Sequence, residues 1–244
     1  MDWHRRYLQQ AKWTRDLRAY LFRQAGLNVN SRALEVGCGT GAILSELPNL
    51  GSLHGLDIDR VALARCRLHA PSAVLVQGDA LRLPYYINTF DIVYCHFLLL
   101  WVDDPLQALL QMKRVARKGA QILAFAEPDY TARLDEPPEF VTLGQWQTES
   151  LRRQGADPGL GRHLADLFFQ AGIELVESGT LQVAATEPSA EDSETEWAAF
   201  ESDLAGRVPS DDLQKLKRLD QQARLLGERI LHVPTYFAWG RVLR

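Results

Sequence analysis

The sequence is poor in the residues that build disulfide or zinc scaffolds. Its 244 residues include only three cysteines, Cys38, Cys66 and Cys95. An odd and sparse set of cysteines does not form a disulfide framework, so a reducing cytoplasm is the expected compartment. Neither a CxxC pair nor an HExxH pair occurs, and these are typical ligand patterns of zinc sites. We therefore expect a cytoplasmic protein that holds no metal.

Excess positive charge and long apolar runs are also missing. The formal net charge is -4 and the pI is near 5.9. Nucleic-acid readers normally carry a basic excess, so no nucleic-acid partner is expected. The longest apolar stretch, 93–102, is interrupted by His96 and is too short to span a bilayer. The first residues lack the apolar core of a signal peptide, so we expect no integral membrane contact.

What is present is the pattern of an α/β protein. Hydrophobic residues make up 46% of the chain and charged residues 24%, as in ordinary globular domains. Short apolar runs predict strands at 33–36, 53–58, 73–76, 91–95 and 121–126. Longer patterns between them predict helices at 41–47, 60–68 and 105–115. Buried strands that alternate with helices indicate βαβ units and a parallel sheet.

The two ends of the chain have a looser pattern. Residues 2–25 are predicted to be helical, with Gly26 as the stop. Residues 128–138 are rich in proline and acid and predict a loop. Further helices are predicted at 139–154, 162–171, 196–204 and 210–231. Strands are predicted at 173–185, with a possible bulge at Gly179, and at 235–243.

A glycine loop carries the strongest chemical signal. The run Ala33-Leu34-Glu35-Val36-Gly37-Cys38-Gly39-Thr40-Gly41 is an apolar strand followed by closely spaced glycines. Glycines let the backbone turn sharply and approach a ligand, and a following helix would offer free N–H groups. Gly37, Gly39 and Ala42 also satisfy the dinucleotide-binding fingerprint, with Asp57 placed to accept from ribose hydroxyls. A tight strand–helix turn with no ligand is the alternative.

Three details distinguish between the cofactors that such a loop could hold. Glu35 lies within the strand before the glycines, where a plain dehydrogenase usually has an apolar residue. Gly78-Asp79-Ala80-Leu81 follows the third predicted strand, and Phe90-Asp91-Ile92-Val93 opens the fourth. With Gly55-Leu56-Asp57-Ile58 and the turn 114–120, these motifs resemble class I S-adenosylmethionine (SAM)-dependent methyltransferases. Within that class the chain is similar to the small-molecule, methyltransferase type 11 branch related to quinone-biosynthesis C-methyltransferases.

The resemblance covers residues 32–127 and implies a fold and a set of cofactor-binding residues. The implied fold is a doubly wound Rossmann-like sheet of about seven strands, with an antiparallel last strand and a helical cap. The implied SAM-binding residues are Glu35, Gly37, Cys38, Gly39, Thr40, Gly41, Asp57, Ile58, Asp79, Ala80, Leu81, Cys95 and His96. Among them, Asp57 would hold the ribose and Asp79 the adenine amino group, and Cys38 would have a packing role. The product would be S-adenosylhomocysteine.

The antiparallel last strand also implies how the chain is organised. If strand 173–185 rises to the ligand face, the residues that follow it must lie over the mouth of the active site. We expect one methyltransferase domain, with an N-terminal helical cap at 1–31, a core at 32–186, a lid at 187–233 and a last strand at 234–244. Such a cap would enclose a small-molecule acceptor and exclude water. The candidate acceptor-binding residues are Tyr7, Trp13, Tyr130, Trp146 and Tyr236, with Trp101 and Phe200 as further pocket candidates.

His96 is the candidate catalytic residue. It falls at the carboxyl end of a predicted parallel strand, where ligands bind, and it could serve as a general base. Glu127 and Asp129 follow the fifth strand and are competing bases. The run Glu127-Pro128-Asp129-Tyr130 resembles the Asp-Pro-Pro-Tyr box of amino-group methyltransferases, but that box follows the fourth strand. A base is required only when the acceptor must lose a proton.

Several alternatives stay open on sequence alone. An NAD(P)-dependent oxidoreductase would use the same glycine loop, although no Tyr-x-x-x-Lys pair occurs and the Asp79 motif would have no explanation. A non-catalytic SAM-binding module would bind the cofactor without turnover. The acceptor atom could be O, N, C or S, a lipidic quinone precursor remains possible, and the protein could be a monomer or a homodimer.

Overall fold

A computed structural model describes residues 2–47, 49–181 and 189–243, and its strands follow the predicted alternation. The strands are β1 (Arg32–Val36), β2 (Ser52–Asp57), β3 (Val74–Gln77), β4 (Phe90–Cys95), β5 (Ala116–Pro128), β6 (Leu134–Glu136), β7 (Glu174–Thr180), β8 (Ile230–His232) and β9 (Thr235–Arg241). The α-helices are α1 (Trp3–Trp13), α2 (Arg15–Gln24), α3 (Arg60–His69), α4 (Pro105–Val115), α5 (Val141–Arg153), α6 (Leu164–Gln170), α7 (Ala190–Asp203) and α8 (Ser210–Leu225).

Seven of these strands form one mixed sheet in the order β3-β2-β1-β4-β5-β9-β7. The first five strands are parallel, and β9 runs antiparallel to both β5 and β7. The predicted Rossmann-like sheet with an antiparallel last strand is therefore confirmed. Because β9 pairs Thr235 with Pro128, the last strand begins where the parallel strands end. We call this side of the sheet the carboxyl edge.

The core lies on both faces of the central strands. Four of five residues of β1 and five of six of β4 are buried, as expected where helices cover both faces of a parallel sheet. Side chains alternate between the faces, so Val93 packs in a cluster with α4 and α6 while Tyr94 packs in a cluster with α2 and α3. A third apolar cluster lies apart from the sheet, among α5, α7 and α8.

The predictions for two helices near the glycine loop were wrong. The helix predicted over 2–25 divides at Thr14, whose backbone leaves the helical region with φ -106° and ψ 4°. The helix predicted over 41–47 is reduced to a 3-10 turn, Leu44–Glu46. Gly41 has φ 85° and cannot start a helix, while Leu47 precedes a proline in the sequence, which disfavours the α conformation.

The second half of the chain departs further from prediction. The helix predicted over 210–231 ends at Leu225, because Gly227 takes a left-handed conformation with φ 69°, and residues 230–232 form β8 instead. Helix α7 begins six residues earlier than predicted, where the Ser189 hydroxyl accepts the Asp192 N–H. The bulge in β7 lies between Leu175 and Glu177, not at Gly179. Residues 182–185 of the predicted strand, and 187 and 188 of the predicted lid, lie outside the described residues.

A second sheet, of two strands, was not predicted. Strand β6, inside the predicted loop 128–138, pairs antiparallel with β8. A chain of buried ion pairs reinforces it: Arg133 with Asp135, Asp135 with Arg229, and Arg229 with Asp220 of α8. These four side chains are at most 4% exposed. We call this group the ionic cluster; it joins the loop after β5 to the helices before β9.

Candidate functional site

The glycine loop at the end of β1 has a backbone that only glycine adopts easily. Gly37, Gly39 and Gly41 have φ values of 74°, 50° and 85°. The Gly37 and Cys38 N–H groups donate to the Leu56 carbonyl at 2.7 and 3.0 Å, which anchors the loop to the end of β2. A Cβ at Gly37 would lie 2.7 Å from Leu98. The loop thus holds bare backbone at the carboxyl edge, a cradle suited to a closely bound ligand.

Asp57 fixes the loop from the neighbouring strand. Its Oδ2 accepts the Gly39 N–H at 2.7 Å, and its Oδ1 accepts the Asp59 N–H at 2.9 Å. Burial raises the pKa of Asp57, while these backbone donors oppose the shift. Both carboxylate oxygens are thus oriented before any ligand arrives.

The first helix covers the loop. The Tyr7 ring lies 3.2 Å from where a Cβ on Gly39 would be. One turn earlier, His4 Nδ1 is 2.8 Å from Thr40 Oγ1, and the His4 ring stacks on His69 of α3 at 3.6 Å between ring centroids. Burial raises the pKa of the Tyr7 hydroxyl, and the charges of Asp57 and Asp59 add to this shift. Helix α1 is therefore packed onto the predicted cofactor loop.

Glu35 is a buried acid beneath the loop. It is only 2% exposed, and its Oε2 is 3.4 Å from the Tyr94 hydroxyl. Burial raises the pKa of Glu35 well above its usual value, and the nearby positive charge of Arg18 only partly offsets this. A cationic ligand group beside it would convert it to the carboxylate.

The other predicted cofactor residues are distributed between surface and core. Asp79 is exposed, and its Oδ1 accepts the Leu81 N–H at 2.8 Å, which fixes the turn after β3. Ile58 is 69% exposed beside Asp57, whereas Ala80 is buried. Cys95 has no exposed surface and packs in the core. Asp79 and Ile58 thus present side-chain surface to solvent, whereas Cys95 presents none.

His96 is held by the junction of the first two helices. Its Nε2 is 2.9 Å from Thr14 Oγ1, and Thr14 accepts from the Arg18 guanidinium, which also pairs with Glu46. Burial, followed by the Arg18 charge, lowers the pKa of His96 to about 3. The adjoining Phe97 has a positive φ of 52°, an unusual conformation for a non-glycine residue. His96 is therefore a neutral, positioned imidazole at neutral pH.

The two competing bases are already engaged. Both oxygens of Glu127 accept backbone N–H groups, from Leu98, Leu99 and Leu100, at 2.9 to 3.1 Å. Burial raises the pKa of Glu127 to about 7 despite these donors. Asp129 forms an ion pair with Arg162 and also accepts from the Thr131 hydroxyl, contacts that lower its pKa. These geometries give Glu127 and Asp129 structural roles at the end of β5.

The aromatic candidates lie in several places. Tyr7 is on the glycine loop, while Trp13 lies under the Arg6 guanidinium at 5.0 Å. Tyr130 and Tyr236 pack at the margin of the main core. Trp146 and Phe200 belong to the third cluster, and Trp101 is 44% exposed. Among the described residues no aromatic ring pair joins any two of these.

Sequence reasoning missed three residues that help to form this region. Arg6 is buried beside the predicted Tyr7, and Thr14 and Arg18 position His96. The only sequence signal for these residues was a polar residue inside an amphipathic pattern, as at Thr14, which could have indicated a buried hydrogen bond. The role of Thr14 depends on the approach of α1 to β4, which helical periodicity does not specify.

Surface depressions, metal-ligand sets and membrane-spanning helices are the other features that could indicate a site. Two depressions of about 490 and 440 Å³ lie at Tyr85 and at His69, and both are wide open to solvent. The second is lined in part by His4, which contacts Thr40 of the glycine loop. No set of three or more acidic, histidine or cysteine side chains in the described segments could hold a metal ion. No helix there is both long and apolar enough to cross a membrane.

Comparison with known proteins identifies the family. Residues 34–124 match the model of a methyltransferase domain family. The chain is 40% identical to a demethylmenaquinone methyltransferase of Shouchella clausii over 126 residues, which are 48% of this chain and 52% of that one. It is 32% identical to a phosphatidylethanolamine N-methyltransferase of Cereibacter sphaeroides, with 57% of this chain and 75% of that one aligned. The alignments thus span about half of the first relative and three quarters of the second.

Solved structures agree with the fold. A phosphoethanolamine N-methyltransferase 2 of Haemonchus contortus, solved with S-adenosyl-L-methionine, superposes with a TM-score of 0.61 at 16% identity, covering 93% of this chain and 52% of that one. The [4+2]-cyclase SpnF superposes with a TM-score of 0.60 at 20% identity, covering 93% and 79%. With its glycine loop, its strand order and these relatives, the chain belongs to the class I SAM-dependent methyltransferases.

Proposed function

We propose that this chain transfers the methyl group of SAM to a small-molecule acceptor held between the carboxyl edge and the helices above it. The observation that carries the proposal is the Asp57 carboxylate, fixed at 2.7 Å by the Gly39 N–H at the lip of the glycine loop. A loop of bare backbone beside a fixed carboxylate matches a ligand with a polar tail and a ribose. The family membership of the chain supports SAM as that ligand.

The residues fit the parts of SAM without rearrangement of the sheet. The backbone of Gly37, Gly39 and Gly41 would bind the methionine portion, and Glu35 beneath them would receive its ammonium group. Asp57 would accept from the ribose hydroxyls, and the exposed Asp79 would accept from the adenine amino group. When bound, the sulfonium supplies an electrophilic methyl group with a good leaving group.

The chain contributes alignment and exclusion of water. The Tyr7 ring packs on the glycine loop at Gly39. Strand β7 ends at the carboxyl edge, and α7 and α8 follow it in the chain before β9. We therefore propose that the N-terminal helices and residues 189–233 form the cap of a single domain. His96 stays neutral above a pH of about 3, and so low a pKa makes the ring a weak base, so we propose that it positions the acceptor by hydrogen bonding and does not take its proton.

The test is calorimetric titration of the purified protein with S-adenosylhomocysteine. Asp57→Ala should weaken binding by about tenfold or more, that is, by at least about 1.4 kcal/mol. Asp91→Ala is the matched control, because Asp91 pairs with Arg117 at the opposite edge of the sheet, at the start of β4. Absence of wild-type binding at millimolar ligand would overturn the proposal.

SAM binding without methyl transfer is the second candidate, and one observation favours keeping it. The structural neighbour SpnF is a [4+2]-cyclase, so this fold also occurs in a protein named for a different reaction. Transfer of labelled methyl from SAM to a panel of phenolic, amine and carboxylate acceptors distinguishes the two roles. Cofactor binding without turnover on any acceptor would support the second role. The comparisons do not favour a nicotinamide-dependent oxidoreductase.

A further inference from the structure

Arg6 on α1 is a buried cation without an anionic partner in the described parts of the chain. The residue is 8% exposed, and its Nη1 donates to Gln9 Oε1 at 2.6 Å. Its guanidinium lies 5.0 Å from the centre of the Trp13 ring. The ion pairs of the described residues, taken to 4.0 Å, do not include Arg6, although the neighbouring Arg5 pairs with Glu191 at the surface.

The other buried arginine side chains of the described residues are compensated. Arg18 pairs with Glu46, Arg133 with Asp135, and Arg229 with Asp135 and Asp220. Leaving a buried charge without a partner costs several kcal/mol. This contrast indicates that the partner of Arg6 comes from outside the chain.

The residues around Arg6 place an external anionic partner between the glycine loop and the cap. Burial raises the pKa of Tyr130, which follows β5, and of Asp203, which ends α7, and the positive charge of Arg6 partly offsets both shifts. Asp203 is close enough for this effect but is not an ion-pair partner within 4.0 Å. The adjacent residue Tyr7 lies on Gly39, and Thr14 of the next junction holds His96.

We propose that Arg6 binds an oxyanion of the methyl acceptor, a carboxylate or a phosphate, and thereby selects anionic substrates. This inference rests on the proposed function. A guanidinium presents a planar set of donors that matches both oxyanions, and the Gln9 amide, which itself donates to the Asp192 carbonyl, holds Arg6 in place. An anion fixed there anchors the acceptor while its reactive atom lies nearer the glycine loop.

The test uses the complex of the full chain with S-adenosylhomocysteine, titrated with sodium acetate or inorganic phosphate against sodium chloride at matched ionic strength. We expect saturable thermal stabilisation by one of the two oxyanions at concentrations up to about 100 mM, well above a millimolar Kd. The acetate and phosphate arms show which anion is preferred. Arg6→Met should weaken this binding by about tenfold or more, and Arg6→Lys should retain part of it. Arg5→Met removes a surface charge from the adjacent position and should leave it unchanged.

Three results would overturn the inference. The first is the absence of saturable binding of either anion to the wild-type complex, and the second is unchanged binding in Arg6→Met. The third is anion binding that appears only in Asp203→Asn, which would make Asp203 the internal counterion of Arg6. The wild-type and Asp203→Asn results decide the matter even if Arg6→Met fails to fold. Failure of S-adenosylhomocysteine to bind at all is measured separately and counts against the proposed function instead.

Discussion

The Thr14 hydroxyl lies 2.9 Å from Nε2 of His96, so the junction between the first two helices is tied to the end of β4. Thr14 is fully buried and also accepts from Arg18. The Thr14 hydroxyl therefore links the His96 ring to the Arg18 guanidinium, which pairs with Glu46. It also couples the position of α1, which lies on the glycine loop, to the central strand of the sheet.

Thr14→Val should lower the free energy of unfolding by about 1–3 kcal/mol, because it keeps the shape of the side chain but leaves the buried Nε2 of His96 without its partner and removes one acceptor of Arg18. Chemical denaturation gives the free energy of unfolding. Thr142→Val, at an exposed position of α5, is the control and should stay within about 0.5 kcal/mol. Equal effects of the two substitutions would contradict the role assigned to Thr14.

His96 should make the stability of the protein pH-dependent in acid. Its pKa falls from 6.5 to about 3 on folding, so the unfolded chain binds the proton more tightly. Stability is then full above a pH of about 6.5 and is lost as the pH falls toward 3. At about 1.4 kcal/mol per pKa unit, and with the ring partly accessible, the loss attributable to His96 is roughly 3 kcal/mol.

The measurement compares the free energy of unfolding of wild type and His96→Gln across this pH range. The difference between the two proteins should change with pH because glutamine does not titrate. His163→Gln, on the 3-10 turn before α6, serves as the control with an exposed imidazole. A constant difference between wild type and His96→Gln would show that His96 is not held neutral by the fold.

Binding of S-adenosylhomocysteine should release a proton if Glu35 receives its ammonium group. The pKa of Glu35 is raised well above its usual value in the free protein, and a neighbouring cation lowers it again. Affinity should therefore fall as the pH is lowered through the raised pKa. Calorimetry in buffers of different ionisation enthalpy counts the released protons. Glu35→Gln should abolish the release, and an unchanged count would exclude this role for Glu35.

Tyr7→Ala should speed dissociation of S-adenosylhomocysteine, because the Tyr7 ring lies over Gly39 and covers the loop. Removing a buried aromatic contact of this kind costs about 1–3 kcal/mol, so we expect a dissociation rate about tenfold higher. Stopped-flow displacement measures the rate. Tyr20→Ala on α2, where the hydroxyl bonds Glu177 at the surface, provides the comparison and should leave the rate unaltered.

Arg229→Met should destabilise the region above the sheet by about 1.5–3 kcal/mol, since it removes a cation shared by two buried carboxylates and leaves Asp135 with Arg133 and Asp220 with Arg224. Hydrogen exchange should show faster opening in α5 and α8 than in β1 or β4. Arg153→Met, which breaks an exposed pair with Glu149, is the surface counterpart and should cost less than about 1 kcal/mol. Equally faster hydrogen exchange over all described elements would show that the region around the ionic cluster does not open separately from the sheet.

The sequence predicted the parts of the fold that depend on strict local patterns. Buried parallel strands read as apolar runs, and Gly37, Gly39 and Gly41 mark a backbone conformation that other residues resist. Strands β6 and β8 have only three residues each, too few to show a period. The roles of Arg6 and Thr14 depend on partners far away in the chain, so no local pattern could reveal them.

The two-stranded sheet has a consequence for how relatives of this chain can diverge. It joins two stretches of sequence, one after β5 and one before β9, that are separated by nearly a hundred positions and yet share Asp135, Arg229 and Asp220 as mutual counterions. A replacement of Arg229 by a neutral residue removes one counterion from two acids at once. Among homologues that keep this sheet, the three positions should change together, and a recombination that exchanges only one of the two stretches should yield unstable chimaeras.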